Sequence, residues 1–383
     1  MFNFKTLAHT AAVLLVAAFS ATTVAAQETI RLGMLQMLTG DLAKYGIPLR
    51  DAALFAVDEI NAKGGINGRQ IEVFLEDVGS TPGGSVQAAL RLIQRDNVQV
   101  IMQGGTSGHT LATIPLVDEH GVAMANMSTS EAITQQGSKW TFRAARVPNS
   151  ILDRTYADYV VRELGLKRIA IIYGNDEMGQ DASRTFMDRL KELGVEPIAV
   201  EQLQVGDPDV SAQVTRIKAA NPEAIFVQGH TNETSKIIRT IRQLILDDVL
   251  LLGFDQMTTD DFIELAGGCS NVAGMLFRTG ILGERSANQS LHDFIASWKA
   301  QSDVDPFLPM IQYAGMQVVF EALRIAGSDL SRKNIRDSFL KVQGFNTIFG
   351  TISVQPNGET MSIAHIMKFS DDCTQEIVAE NYQ

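Results

Sequence analysis

Cysteine is scarce in this chain: two among 383 residues, Cys269 and Cys373. Neither lies near the N-terminal apolar stretch, so the lipid-attachment cysteine of a lipoprotein is lacking. Beyond the first 26 residues no segment approaches the ~20 consecutive apolar residues of a membrane helix, which excludes a membrane-embedded protein. Blocks of basic residues are also missing. The net charge is −12 with Lys and Arg scattered, which argues against nucleic acid and anionic lipid as partners and favours solubility.

Catalytic signatures are missing as well. Gly105-Thr106-Ser107-Gly108-His109 lacks the closing glycine of a nucleophile elbow. His109 sits two residues from Ser107, and such neighbours at a helix start rarely face each other. Beyond the leader the histidines are His109, His120, His230, His292 and His365, and none pair across a glutamate at metal-binding helical spacing. There is no P-loop lysine, and no G-x-G-x-x-G opens a helix after a strand. The chain is therefore expected not to be an enzyme, and to need no metal or cofactor.

What is present begins with an export leader. Lys5 is the only charge before Glu28, Ala11–Ala18 form an apolar core, and Val24-Ala25-Ala26 supply small residues for cleavage. Residues 1–26 are predicted to be a signal peptide. Its removal leaves about 357 of the 383 residues with Lys5 gone, so that the charge moves from −12 to −13. This is enough for two domains with proper cores. Two cysteines in an oxidising compartment allow one disulfide, or remain two buried thiols.

Strand-like apolar runs alternate with helix-period segments, which reads as a parallel α/β sheet. Strands are predicted at Ile30–Leu35, Ile71–Leu75, Val98–Met102 and Gly121–Ala125, with helices at Leu49–Ala62, Ser85–Arg95 and Thr110–His120. A second set follows Arg146-Val147-Pro148-Asn149. Its strands are Arg168–Tyr173, Glu196–Glu201, Ala224–Val227 and Val249–Gly253, and its helices Ile151–Leu164, Asp181–Leu193, Val210–Ala220 and Thr234–Leu246. The pattern then changes: a strand at Val272–Phe277, helices at Leu291–Gln301, Met310–Ile325 and Arg332–Lys341. A hairpin of Ile352–Val354 with Ile363–Phe369 is expected around Asn357-Gly358. No Ser/Gly/Pro-rich linker separates the halves, which suits a hinge better than a flexible tether.

Open α/β sheets bind ligands outside the carboxyl ends of their strands. After Ile101-Met102 comes Gln103-Gly104-Gly105-Thr106-Ser107-Gly108, where glycines, hydroxyls and a helix N-terminus suit a carboxylate or make a plain helix cap. Ser128 and Thr129 follow the next strand in the same way. Asp255, just past Leu251-Leu252-Gly253-Phe254, is a natural partner for an ammonium or a turn aspartate.

The string Ile60–Gly68 (INAKGGING) ends the first helix on Gly64-Gly65 and turns into the second strand. With Gly33, Gly40, Tyr45-Gly46 and Glu76-Asp77 it resembles the first βαβ unit of the periplasmic branched-chain amino-acid-binding proteins, the leucine/isoleucine/valine type of type I solute-binding protein. The resemblance implies an α/β fold of two Rossmann-like lobes with parallel central sheets, joined by a three-crossing hinge. By similarity the crossings fall near 142–145, 277–280 and 347–350. Lobe one is then 27–145 plus 279–347, and lobe two 146–278 plus 348–383. Both cysteines fall in lobe two, which favours a Cys269–Cys373 bridge. The resemblance also implies that Ser107, beside Thr106 as a further hydroxyl donor, binds the carboxylate of an amino acid, with Ser128 and Thr129 completing that site. Asp255 would take the ammonium, and Tyr45, with Phe307, would close over the side chain. Met178 and His230 stand where the family commonly has tyrosines, which predicts a broader or more polar preference than strict leucine, isoleucine or valine. The implied protein is a periplasmic monomer that delivers an amino acid to an ABC-transporter permease. A sensor or binding protein for amides, urea or aromatic carboxylic acids is the alternative.

Overall fold

The computed structural model describes residues 29–244, 249–360 and 363–382. The expected leader, residues 1–26, lies outside the described residues, as does the C-terminal end of the helix expected to reach Leu246. Two sheets dominate. In the first, β1 (Ile30–Gln36), β2 (Ile71–Asp77), β3 (Val100–Gln103), β4 (Ala123–Asn126) and β5 (Thr141–Arg143) lie in the order β2-β1-β3-β4-β5, all parallel. The second carries β6 (Ile169–Gly174), β7 (Ala199–Leu203), β8 (Ala224–Gln228), β9 (Leu250–Phe254) and β10 (Leu276–Thr279) in the same doubly wound order. A small pair, β11 (Phe345–Thr347) and β12 (Gly350–Ile352), stands apart. Finally β13 (Ala364–Phe369) and β14 (Gln375–Tyr382) extend the second sheet antiparallel beyond β10.

The sequence dictates this burial. The central strands, such as β8 (AIFVQ), are buried at every position because helices cover both faces of a parallel sheet. In the first half, Leu32, Met34 and Val100 pack under helices Ala43–Ala62 and Phe307–Ala326, while Leu35, Ile101 and Met124 face the helices Pro82–Leu90 and Ser107–His120. In the second half Ile171, Phe186 and Phe226 fill one face, and Ile172, Val227 and Ile238 the other. The first helix stops where expected: Gly64 and Gly65 have φ of 98° and 77°, the left-handed backbone that glycine adopts without penalty.

Several expected elements shift. The first helix begins at Ala43, not after Pro48, so Pro48 lies within it and Tyr45 sits on its first turn. The strand expected at Val272–Phe277 is divided: Cys269–Val272 form a helical turn, Gly274 (φ 75°) breaks it, and the strand is β10. The Asn357-Gly358 turn forms, with Gly358 N–H donating to Gln355 O at 2.9 Å, and among the described residues a single bridge, Val354 with Thr360, closes it. Its flanks go to different partners. β12 pairs with β11, and β13 pairs with β10 and β14. The reason is burial: Ile348, Ile352 and Val354 pack into the core of the first half, whereas Ile366, Met367 and Phe369 belong to the second.

Cys269 and Cys373 form a disulfide across 104 residues, tying a helical turn to the β13–β14 connection. It closes a long loop of the unfolded chain, so a Cys269→Ser/Cys373→Ser variant is expected to lose roughly 2–4 kcal/mol of stability. Urea titration with and without reductant checks this; the variant and the reduced protein should unfold at the same, lower midpoint.

Candidate functional site

Parallel strands deliver their carboxyl ends to one edge, and here the two sheets turn those edges toward each other. A cavity of about 90 Å³ lies between them. It is reached by the segments after β1 (Met37), β3 (Gly104–Ser107), β4 (Met127–Thr129), β5 (Arg146), β6 (Met178), β8 (His230) and β9 (Gln256). Of the residues singled out from sequence, Tyr45, Thr106, Ser107, Ser128, Thr129, Met178 and His230 all line it. Met37, Leu49, Met127, Leu308 and Ile311 supply most of the remaining wall.

The β3 loop is built for close backbone approach. A Cβ on Gly104 would stand 2.1 Å from the Gln36 side chain, and one on Gly105 would stand 2.7 Å from His109 Cβ. Helix Ser107–His120 starts directly after it. Thr106 occupies the cap position, yet its hydroxyl makes no cap hydrogen bond and instead meets His109 Nδ1 at 2.8 Å. Thr106 thus gives the helix no side-chain cap, and a helix start of this kind is suited to an anion. Burial pushes His109 down to about 4, so this imidazole is neutral near pH 7. Ser107 Oγ accepts from Ser130 N–H at 3.4 Å, and Ser128 Oγ meets Thr110 Oγ1 at 2.7 Å.

Two expected residues are placed differently. Asp255 does not line this cavity. It is buried and held by Arg146 in a two-pronged ion pair, Nη1 to Oδ2 at 2.7 Å and Nη2 to Oδ1 at 3.1 Å. The guanidinium matches its charge, while each carboxylate oxygen keeps a lone pair for a further donor. Phe307 does not line this cavity either; with Tyr45, Gln256 and Leu308 it borders an adjoining one of about 360 Å³. Asp255 and Phe307 border a separate cleft of about 730 Å³, rimmed by Asp260, Asp261, Asp303 and Asp305.

Arg146 was not singled out from sequence, and neither was Arg143. Arg143 is completely buried on β5. It donates to the carbonyls of Ser128 and Ser130, the latter at 2.9 Å, and pairs with Glu359 at 2.6 Å. It thus fixes the β4 loop from behind. The only sequence signal was an Arg-Ala-Ala-Arg run in a segment expected to cross between lobes.

The halves touch directly across the cavity. Tyr45 Oη accepts from Thr231 N–H at 3.1 Å, Ser130 Oγ donates to Glu177 at 2.8 Å, and Glu131 N–H donates to Asp181 at 3.1 Å. Burial pushes the Tyr45 phenol up to about 12, so it stays protonated. His230 Nε2 meets Asp176 Oδ2 at 2.8 Å, and the rings of Tyr45 and His230 are 5.8 Å apart.

A family profile described as periplasmic binding protein matches residues 29–373. The Leu/Ile/Val-binding protein homolog 3 of Brucella melitensis is 25% identical over 349 residues, covering 91% of this chain and 93% of that protein. Among solved structures, the leucine binding protein LivK of Thermotoga maritima has a TM-score of 0.82 at 25% identity, over 92% of this chain and 98% of its own. The branched-chain amino acid transporter substrate binding protein LivJ of Streptococcus pneumoniae, in complex with isoleucine, has a TM-score of 0.81 at 26% identity, over 92% and 100%.

Two outcomes are expected from this geometry. Arg143→Met strands Glu359 and two loop carbonyls, and should cost about 3–5 kcal/mol of stability in a denaturant titration. The second concerns pH. Burial opposes charging of His230, but the hydrogen bond and charge of Asp176, aided by Glu233 and opposed by Lys44, raise its pKa overall. Burial likewise opposes ionisation of Asp176, and His230 outweighs it and lowers that pKa. The His230 contribution to stability is therefore complete below the unfolded value of about 6.5 and is lost as pH rises through the higher folded value. The Asp176 contribution is present above about 3.9 and lost as pH falls through its lowered value. Melting temperature measured from pH 5 to 9 should fall on the alkaline side, and His230→Gln should flatten that limb.

Proposed function

Because the chain belongs to the periplasmic binding protein family, we propose that it is the extracytoplasmic solute-binding component of an ABC importer. It captures an amino acid or a close analogue between two lobes and hands it to a membrane permease. Residues 1–26 direct export, and no chemistry is performed on the solute. The observation that carries this reading is the convergence of strand ends from two doubly wound sheets on one small cavity closed by direct lobe-to-lobe hydrogen bonds. The relatives named for leucine, isoleucine and valine binding, and the isoleucine-bound LivJ structure, agree with it. No helix among the described residues is long and apolar enough to cross a membrane.

In this reading the uncapped N–H groups of helix Ser107–His120, with Thr106, Ser107, Ser128 and Thr129, receive the ligand carboxylate, and Arg146 adds positive charge. Tyr45, Met178 and His230 close over the apolar part. Closure is a hinge motion, and a ligand favours it only through its differential affinity for the closed form. In this reading the lobes are 27–145 plus 279–360, and 146–278 plus 363–383: the third crossing is read beyond Glu359, because Ile348, Ile352 and Val354 pack in the first core and Gly358 and Glu359 bind Arg143 of β5.

A thermal-shift screen of the exported form against amino acids and their carboxylate analogues tests the reading. A true ligand at 100 times its Kd should add about 2.7 kcal/mol of apparent stability. Ser107→Ala should then weaken that ligand by roughly 1–3 kcal/mol with little change in ligand-free stability, since Ser107 Oγ has only a long 3.4 Å contact within the protein. A protein stabilised by none of these solutes, or a Ser107→Ala variant with full affinity, would remove the assignment or the carboxylate site respectively.

A further inference from the structure

The cavity between the lobes encloses less than a whole amino acid of leucine's size. Its volume is about 90 Å³, whereas roughly 150 Å³ is what encloses a benzene ring. The second cavity, of about 360 Å³, adjoins it and shares Tyr45, Gln256 and Leu308 as lining. Ser107, Ser128 and Thr129 line the first cavity and not the second. A solute whose carboxylate meets that end passes its side chain between the three shared residues.

Among the described residues lining either cavity, one has a buried side-chain polar atom without a hydrogen-bond partner: Gln256, at Oε1. Its backbone is held in place. β9 ends at Phe254, and the two-pronged pair with Arg146 fixes Asp255, the residue just before Gln256. The Thr258 hydroxyl closes the same turn by donating to Asp255 O at 2.6 Å. Gln256 thus offers its carboxamide at a set place. Both ends of a carboxamide hydrogen-bond, so either rotamer leaves the same demand.

From this we infer that Gln256 is a specificity-determining residue, and that it selects an amino acid with a hydroxyl or carboxamide in its side chain over the aliphatic isostere. The inference rests on the solute-binding reading above and assigns the side-chain end of that site; it does not depend on Met178 or His230. When a solute seals the cavity, water leaves Gln256. An aliphatic side chain then strands a buried amide, which costs that amide its full desolvation. A hydroxyl answers it with one hydrogen bond, and a carboxamide can answer it with two. A site that offers a hydrogen bond rejects the analogue lacking it far more strongly than an apolar site rejects an added hydroxyl. The second cavity continues the polar character, with Lys44, Thr231, Thr259 and Asp261 on its wall.

Isothermal titration with pairs of similar shape tests this: L-asparagine against L-leucine, L-threonine against L-valine, and L-glutamine against L-methionine. In the wild-type protein at least one polar member is expected to bind roughly ten-fold or more tightly than its partner. Gln256→Met keeps an unbranched side chain of the same length and removes the amide. It is expected to abolish the preference, bringing that pair within about three-fold. Gln256→Leu repeats the substitution with a second apolar residue, should Gln256→Met lose its fold. A smaller polar preference in every pair of the wild type, or an aliphatic one, overturns the inference and leaves the solute-binding reading standing. A polar preference that persists above that limit in the variants overturns the assignment to Gln256. Binding of none of these amino acids overturns the inference and the amino-acid reading together.

Discussion

Strand polarity is the constraint on which the rest of this molecule depends. A parallel sheet buried on both faces sends every carboxyl end to one edge, and the chain can return only through helices whose N-termini start at that same edge. Two such sheets with the same strand order, set edge to edge, bring seven strand-end segments to a single cavity. Hydroxyls, glycines and N–H groups accumulate there for local reasons of turn and helix initiation. Binding capacity is therefore a by-product of topology, and specificity is left to the few side chains that vary along those ends.

Two buried arginines set how those side chains behave. Arg143 occupies the end of β5 and turns inward, binding loop carbonyls on one side and Glu359 on the other. Arg146, three residues on, reaches Asp255 after β9 in the other lobe's sheet. Buried ion pairs are poor sources of net stability, but removing one partner is costly because the other charge is stranded. Their effect here is to fix geometry: one holds the β4 loop, the other ties the segment between the lobes to the second sheet. Arg146 lines the cavity and Arg143 braces a loop that does, so both act where the two sheets meet.

This division explains what could be read in advance. The alternation of buried strands and helices, the Gly64-Gly65 helix stop and the loops at Ser107 and Ser128 are local, and periodicity with turn chemistry exposes them. The antiparallel β14 was not legible because its apolar residues Ile377 and Val378 are exposed, leaving no strong pattern. The partition of Ile352 from Ile366 was not legible either, since a turn at Asn357-Gly358 looks the same whether its flanks pair with each other or diverge to two cores. Asp255 was placed correctly at a strand end, but its partner lies 109 residues away. No local signal distinguishes a carboxylate awaiting a ligand from one already satisfied by the fold.

That last distinction decides the chemistry of the cavity. In an interior of low effective dielectric, the state of a site is set by its uncompensated groups rather than by its inventory of charges. Asp255 and Asp176 are acids by composition, yet each is matched, by Arg146 and His230 respectively. What remains unmatched at the cavity includes helix N–H groups, hydroxyls, the cationic edge of Arg146 and the Gln256 amide oxygen. A solute completes such a site by bringing groups complementary to these. An ion pair between Arg146 and a ligand carboxylate would share the guanidinium with Asp255, so the anion meets a partly neutralised cation, and the helix N-terminus must carry much of its recognition.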